Sequence, residues 1–155
     1  MAKKLPDEEC RANYLRLREL FDAVVSDHDR FEVVYACGVD VGMIDAVVVR
    51  VSTYTYASYA VGFDRAANEI VIVPVTVDLN SHGTPIYLKN SEIQKAKQGF
   101  MTKEITIQDK RLPKKYIQLN VQEMINQDPD GVVLLHKQTE EAKHFLDFFK
   151  NQYRK

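Results

Sequence analysis

Ser58-Tyr-Ala-Val-Gly-Phe-Asp-Arg-Ala-Ala-Asn-Glu-Ile-Val-Ile-Val-Pro-Val75 consists of two apolar runs around a polar break, Asp64 to Asn68. Both runs are built from β-branched and aromatic residues, which favour strands. The break carries the Asp and Asn that suit a tight connection, so the stretch reads as a β-hairpin. In the second run Val71, Val73 and Val75, continued by Val77, fall on one face; Ile70, Ile72 and Pro74 fall on the other. Both faces are apolar, so a covering layer is expected on each side. Pro74 cannot donate to a ladder and marks an edge or a bulge.

Working outward, the period of two persists. On the N-terminal side lie Ser52–Phe63, the β-branched run Ala46–Val51, and Phe31–Val39, which closes in the turn-like Gly38-Val-Asp-Val-Gly42. Before them the period becomes helical. Cys10, Tyr14, Leu17, Phe21 and Val24, with Leu20 beside them, form one stripe over Pro6–Val25. Asp7, Glu8 and Glu9 suit the positive end of that helix.

On the C-terminal side the loop Asn80–Pro85 leads to short strands at Ile86–Leu88 and Glu92–Lys97. A further pair follows, Thr102–Gln108 and Lys114–Val121, joined through Arg111-Leu-Pro-Lys114. After the turn signal Asp128-Pro-Asp-Gly131 comes a last helix, Gln138–Gln152, with Thr139 as its expected N-cap. Its stripe is Ala142, Phe145, Leu146, Phe149 and Tyr153, widened by Phe148. Helix, about seven short strands, helix, with no crossover helices, argues against a parallel βαβ sheet. The class expected is α+β, mainly β, in one domain spanning 1–155.

This order resembles the bacterial pleckstrin-homology-like (PH-like) domains. The resemblance is carried by Ser58–Phe63, Ile70–Val75, Ile86-Tyr-Leu-Lys-Asn-Ser-Glu-Ile93, the hairpin Ile105-Thr-Ile-Gln108 to Tyr116–Val121, and the helix Glu140–Phe149. It implies an antiparallel β-barrel or sandwich of about seven strands capped by the C-terminal helix, here with an extra N-terminal helix. It also implies a binding or assembly module and not an enzyme. The family's phosphoinositide-binding members hold their ligand on a basic loop between the first strands. Here that region is acidic, with Asp40 and Asp45, which argues against phosphoinositide binding.

Composition bounds the rest. The chain has 155 residues, 45% apolar and 28% charged, with a formal net charge of −1. That charge does not suit nucleic acid as the main partner. No apolar run approaches the ~18 residues of a membrane span, and no signal-peptide pattern is read at the N-terminus. Two cysteines, Cys10 and Cys37, make no disulfide framework, so a cytoplasmic location with free thiols is expected. No catalytic, cofactor or metal constellation is read. His28, His82, His136 and His144 lie apart, Glu140 and His144 lack a third ligand, and acidic pairs such as Asp27 with Asp29 sit in turns.

Two features remain. Tyr35, Tyr54, Tyr56 and Tyr59 form a tyrosine-rich group that suits either an interaction face or half-buried strand edges. Charge is also uneven: residues 1–88 hold 8 basic and 13 acidic side chains, net −5, whereas 89–115 hold 8 and 3, net +5. Lys89, Lys95, Lys97, Lys103, Lys110, Arg111, Lys114 and Lys115 are therefore a candidate basic face. It reads either as a solvated sheet surface guarded by lysines or as a site for an acidic partner. The expected function is a protein-interaction or self-assembly module without a cofactor. The alternatives are a small-ligand protein or enzyme with a pocket in a curved sheet, and anion or nucleic-acid binding through Lys89–Lys115.

Overall fold

A computed structural model describes residues 3–4, 6–39, 48–51, 54–76, 79–99, 104–112, 115–125, 127–128 and 136–154. In chain order the elements are β1 (Lys3–Lys4), α1 (Asp7–Val24), a 3₁₀ turn (His28–Arg30), β2 (Glu32–Val39), β3 (Val48–Val51), β4 (Tyr54–Asp64), β5 (Glu69–Val75) and β6 (Ile86–Lys89). There follow β7 (Lys95–Gln98), β8 (Ile105–Gln108), β9 (Tyr116–Leu119), β10 (Met124–Ile125), β11 (Gln127–Asp128), β12 (His136–Lys137), α2 (Thr139–Phe148) and a wide π turn (Phe149–Tyr153).

The hairpin that decides the fold is β4–β5, running antiparallel from Asp64↔Glu69 to Ser58↔Val75. Its loop is held from within: the Asp64 carboxylate accepts the Ala66 and Ala67 amides, and Asn68 takes the left-handed conformation at φ 51°. β2 lies along the other side of β4, and β3 continues alongside β4 where β5 stops. β6 pairs with β5 as far as Ile72↔Ile86. Pro74 sits just past that last pair. Its carbonyl accepts from Gly83 on the β6 side, so its missing N–H faces the side where the ladder has ended. A second antiparallel sheet is β7–β8–β9.

The chain is α+β with two main antiparallel sheets, besides the short pairings β1–β11 and β10–β12, and among the described residues the two main sheets do not close into a barrel. They join at one corner, where Cys37 and Asn120 exchange hydrogen bonds of 3.1 and 2.8 Å. At the opposite corner β6 and β7 are end strands. Between them the chain turns tightly, with the Glu92 and Ile93 amides both donating to Lys89 O. The C-terminal turn fills the gap instead: Tyr153 Oη donates to Leu88 O at 2.7 Å, and the Asn90 amide donates to Tyr153 O.

The four-stranded path β2-β4-β5-β6 is covered on both faces, as the apolar alternation of β5 requires. One face buries Val34, Ala36, Val61, Phe63, Ile70 and Ile72 against Ala96, Ile105, Ile107, Ile117 and Leu119 of the second sheet. α2 and its turn seal that core with Phe145, Phe148, Phe149 and Tyr153, and the Phe145 and Phe148 rings lie 5.3 and 5.2 Å from Phe63. The other face buries Val33, Tyr35, Ala60, Val71, Val73 and Val75 against Tyr14, Leu17 and Phe21 of α1. Phe21 rests on Gly62. A Cβ there would stand 2.5 Å from the ring, so the strand position takes only glycine while the helix is docked.

Thr139 does not cap α2. Gln138 occupies the N-cap position and makes no side-chain cap bond, because its amide is engaged elsewhere. No described helix is long and apolar enough to cross a membrane.

Candidate interaction surface

Sheet edges are where β-rich chains meet partners, because an edge strand presents unpaired N–H and C=O groups. The outer edge of β2, and one carbonyl of β6, are taken up by other parts of the chain. Along the outer side of β2, Arg18 Nη1 donates to Phe31 O at 2.8 Å and Tyr14 Oη donates to Val33 O at 2.7 Å. Gln138 then behaves as one residue of a missing strand. Its Oε1 accepts the Tyr35 amide at 2.6 Å, and its Nε2 donates to Tyr35 O at 3.0 Å and to Gln122 O at 2.8 Å. Cys37 and Asn120 complete the row. Every second carbonyl from 31 to 37 thus accepts a hydrogen bond, two from α1, one from Gln138 and one from the segment after β9. On β6, Tyr153 takes up Leu88 O.

Two further clusters are structural. Arg30 bridges three carboxylates: Asp27 at 2.7 Å, Asp64 at 2.8 Å and Glu69 at 2.6 Å. It also stacks 4.2 Å over Phe31 and ties the end of the helical segment to the β4–β5 loop. Arg111 grips the buried Asp109 at 2.6 Å and reaches Glu92 at 3.5 Å. Its hydrogen bond is the main reason the Asp109 carboxyl lies below its ordinary range.

The tyrosine group does not form one exposed face. Tyr35 and Tyr59 are each 1% exposed, on opposite faces of the same sheet. Tyr35 Oη is 2.7 Å from Ser58 Oγ, and its ring lies 4.6 Å from His136. The Tyr59 hydroxyl is buried without a hydrogen-bond partner, and burial pushes its ionisation well above the usual phenol range. Tyr54 and Tyr56 belong to β4, with side chains outside the described residues.

Of the basic candidates, Lys103 and Lys114 lie outside the described residues. Arg111 is consumed by Asp109 and Glu92, Lys89 belongs to β6 of the other sheet, and Lys110 and Lys115 are exposed at the β8–β9 turn. Lys95 and Lys97 are brought together. Both are exposed on β7 and flank the buried Ala96. Register places them at the heads of two rows across the second sheet, Lys95↔Gln108↔Tyr116 and Lys97↔Thr106↔Gln118. The inward row Ala96↔Ile107↔Ile117 is wholly buried, so those two rows are the outer face. It carries amides, hydroxyls and two lysines, and no carboxylate.

The grooves lie elsewhere. One of about 570 Å³ runs between the first turns of α1 and α2, lined by Asp7, Glu8, Arg11, Lys137, Glu140 and Glu141 among others. The Arg11 guanidinium spans it to Glu141 with two bonds of 2.9 and 2.8 Å, and Lys137 meets Asp7 at 3.0 Å. These two pairs clamp α1 to α2 and to β12, while Glu8 and Glu140 on the groove have no ion pair among the described residues. Glu140 and His144 line one smaller groove with Glu32 and Glu141, and there His144 Nδ1 is 3.0 Å from Glu32. Among the described residues no three of His, Cys, Asp and Glu are grouped to hold a metal ion. Burial raises both thiols, Cys10 and Cys37, away from the reactive thiolate. Comparison with protein-family models, curated proteins and solved structures finds no match.

Sequence reasoning missed Gln138 and the edge it closes, because a bond between residues 138 and 35 leaves no local pattern. It missed Gly62 as a docking seat, although a glycine inside an otherwise bulky strand is the local sign of close approach.

Proposed function

We propose that this chain is a non-catalytic protein-interaction module of PH-like build, working through the sheet β7–β8–β9. The PH-like reading is supported by the order of parts: a meander β2-β4-β5-β6, a second meander β7-β8-β9, and one C-terminal helix sealing the core between them. The working surface is supported by one observation. Folding accounts for the Phe31, Val33 and Tyr35 carbonyls on the outer edge of β2, the Leu88 carbonyl of β6, Tyr35 and Tyr59, and Arg11, Arg18, Arg30 and Arg111, whereas among the described residues Lys95 and Lys97 have no ion pair and head two outward polar rows. Lysines on an end strand repel a second copy of the same edge and admit a partner carrying carboxylates.

The test is titration of the full chain with poly-L-glutamate, read by backbone amide shifts at low and high salt. Shifts confined to Lys95–Gln98, Thr106, Gln108, Tyr116 and Gln118, lost at high salt and lost in Lys95→Glu/Lys97→Glu, are the expected result. Shifts centred on the α1–α2 groove, or none at low salt, would overturn the assignment of this sheet.

A further inference from the structure

The molecule is layered. α1 lies on one face of the first sheet, and the second sheet lies on the other. Among the described residues the outward side of α1 and the outer face of β7–β9 therefore lie on opposite sides of the layers. Their charges are opposite as well. The outward side of α1 carries Glu8, Glu9 and Glu19, all exposed and without an ion pair among the described residues, together with Arg16. Lys95 and Lys97 are likewise without one. In the middle of the acidic side stands Leu15, 49% exposed, between the small Ala12 and Glu19 on the same side of the helix.

We infer that the occupant of the lysine face is a second copy of this chain, docking the outward side of its α1 front-to-back. This deepens the interaction reading above and rests on it. The dimensions agree. Three strands of four residues make a face about 14 Å by 14 Å. Glu8 to Glu19 spans about 16 Å of helix. A helix laid across the face brings its carboxylates to Lys95 and Lys97 and sets Leu15 over the Tyr116 and Thr106 rows. The contact is heterologous: each copy spends its acidic side on one neighbour and its basic face on another, so association propagates into chains or rings. The contact area, about 200 Å² on the sheet, is far below the ~800 Å² per partner of a stable complex. Association is therefore weak, seen at high protein concentration, and carried by charge.

The measurement is sedimentation velocity of the full chain over a concentration series at low and high salt. The weight-average mass at the highest concentration is expected to rise at least about two-fold at low salt and return to the monomer value at high salt. Two charge reversals then test the direction of docking. Lys95→Glu/Lys97→Glu has two acidic surfaces, Glu8→Lys/Glu19→Lys has two basic ones, and each alone stays monomeric with an unchanged circular dichroism spectrum. Mixed in equal amounts they associate again, because each supplies the surface that the other lacks. A wild-type chain monomeric at low salt, association that survives either reversal, or a mixture that stays monomeric overturns the inference. If poly-L-glutamate still titrates β7–β9 in a monomeric wild-type chain, the interaction reading stands and only the identity of the partner falls.

Discussion

Two residues show how sharply burial and shape decide what a position accepts. Tyr59 is packed among apolar side chains, with a hydroxyl that gives up water and gains no partner. A buried unsatisfied hydroxyl costs about 1–3 kcal/mol, while the ring itself contributes its full apolar area. Tyr59→Phe keeps the ring and removes the cost, so it should leave stability unchanged or raise it by up to about 2 kcal/mol in urea unfolding. A loss of more than about 1 kcal/mol would mean that the hydroxyl is satisfied after all. Gly62 is the opposite case. An added methyl meets Phe21 Cζ at 2.5 Å, Phe21 Cε2 at 2.8 Å and Val71 Cγ1 at 2.9 Å. Overpacking of this kind costs about 1–3 kcal/mol. The loss in Gly62→Ala should fall on α1, seen as faster amide exchange in the helix than in β8 and β9, which Phe21 does not touch.

At the scale of elements, the sequence made the strands and helices legible wherever one face meets a core and the other meets water. The stripe Cys10, Tyr14, Leu17, Phe21 is the buried side of α1, and the alternation of Tyr116–Leu119 is the pleat of β9. The β4–β5 hairpin was legible because its loop chemistry is local. The basic face was legible in part, since alternation put Lys95 and Lys97 on one side of a strand; the pairing of Arg111 with Asp109, two residues before it, was a local sign passed over, whereas its reach to Glu92 was not local. Gln138 was illegible because its partners are a strand a hundred residues away in sequence and the Gln122 carbonyl. Its importance can be ranked by chemistry. Gln138→Ala leaves the Tyr35 amide and two carbonyls without partners and should cost about 3 kcal/mol. Gln138→Glu retains an acceptor for the amide but sets a carboxylate against the Tyr35 and Gln122 carbonyls, and should cost more. Equal losses in the two variants, measured by chemical denaturation, would mean that volume and not hydrogen bonding holds the edge of β2.

At the scale of the whole molecule, the same arginine clamps that fix the layers set the response to acid. Asp27, Asp109 and Glu141 lie below their ordinary values chiefly because Arg30, Arg111 and Arg11 donate to them. For Asp64 burial pushes upward, and Arg30 with the Ala67 and Ala66 amides outweighs it, so the carboxyl is also held low. A carboxyl held low when folded binds its proton more readily when unfolded. Its contribution is complete above the ordinary carboxylate range, about pH 4, and is lost as pH falls through the folded value. The wild-type fold should therefore persist through pH 4 and give way below it. Arg30 is the informative position, since it serves the 3₁₀ turn and the β4–β5 loop at once. Arg30→Gln leaves burial as the leading influence on Asp64, which then takes up a proton at higher pH. The acid midpoint, followed by far-ultraviolet circular dichroism, should move up by about half to one unit. Stability at neutral pH should fall by about 2 kcal/mol, less than for a fully buried pair because the Arg30 side chain is 34% exposed. Arg65→Gln is the matched control. Its contact with Glu32 is 3.5 Å long, with both side chains more than 40% exposed, and its loss should leave the midpoint in place. Equal shifts in the two variants would assign the acid response to net charge, and a shift confined to Arg30→Gln assigns it to the buried end of the β4–β5 hairpin.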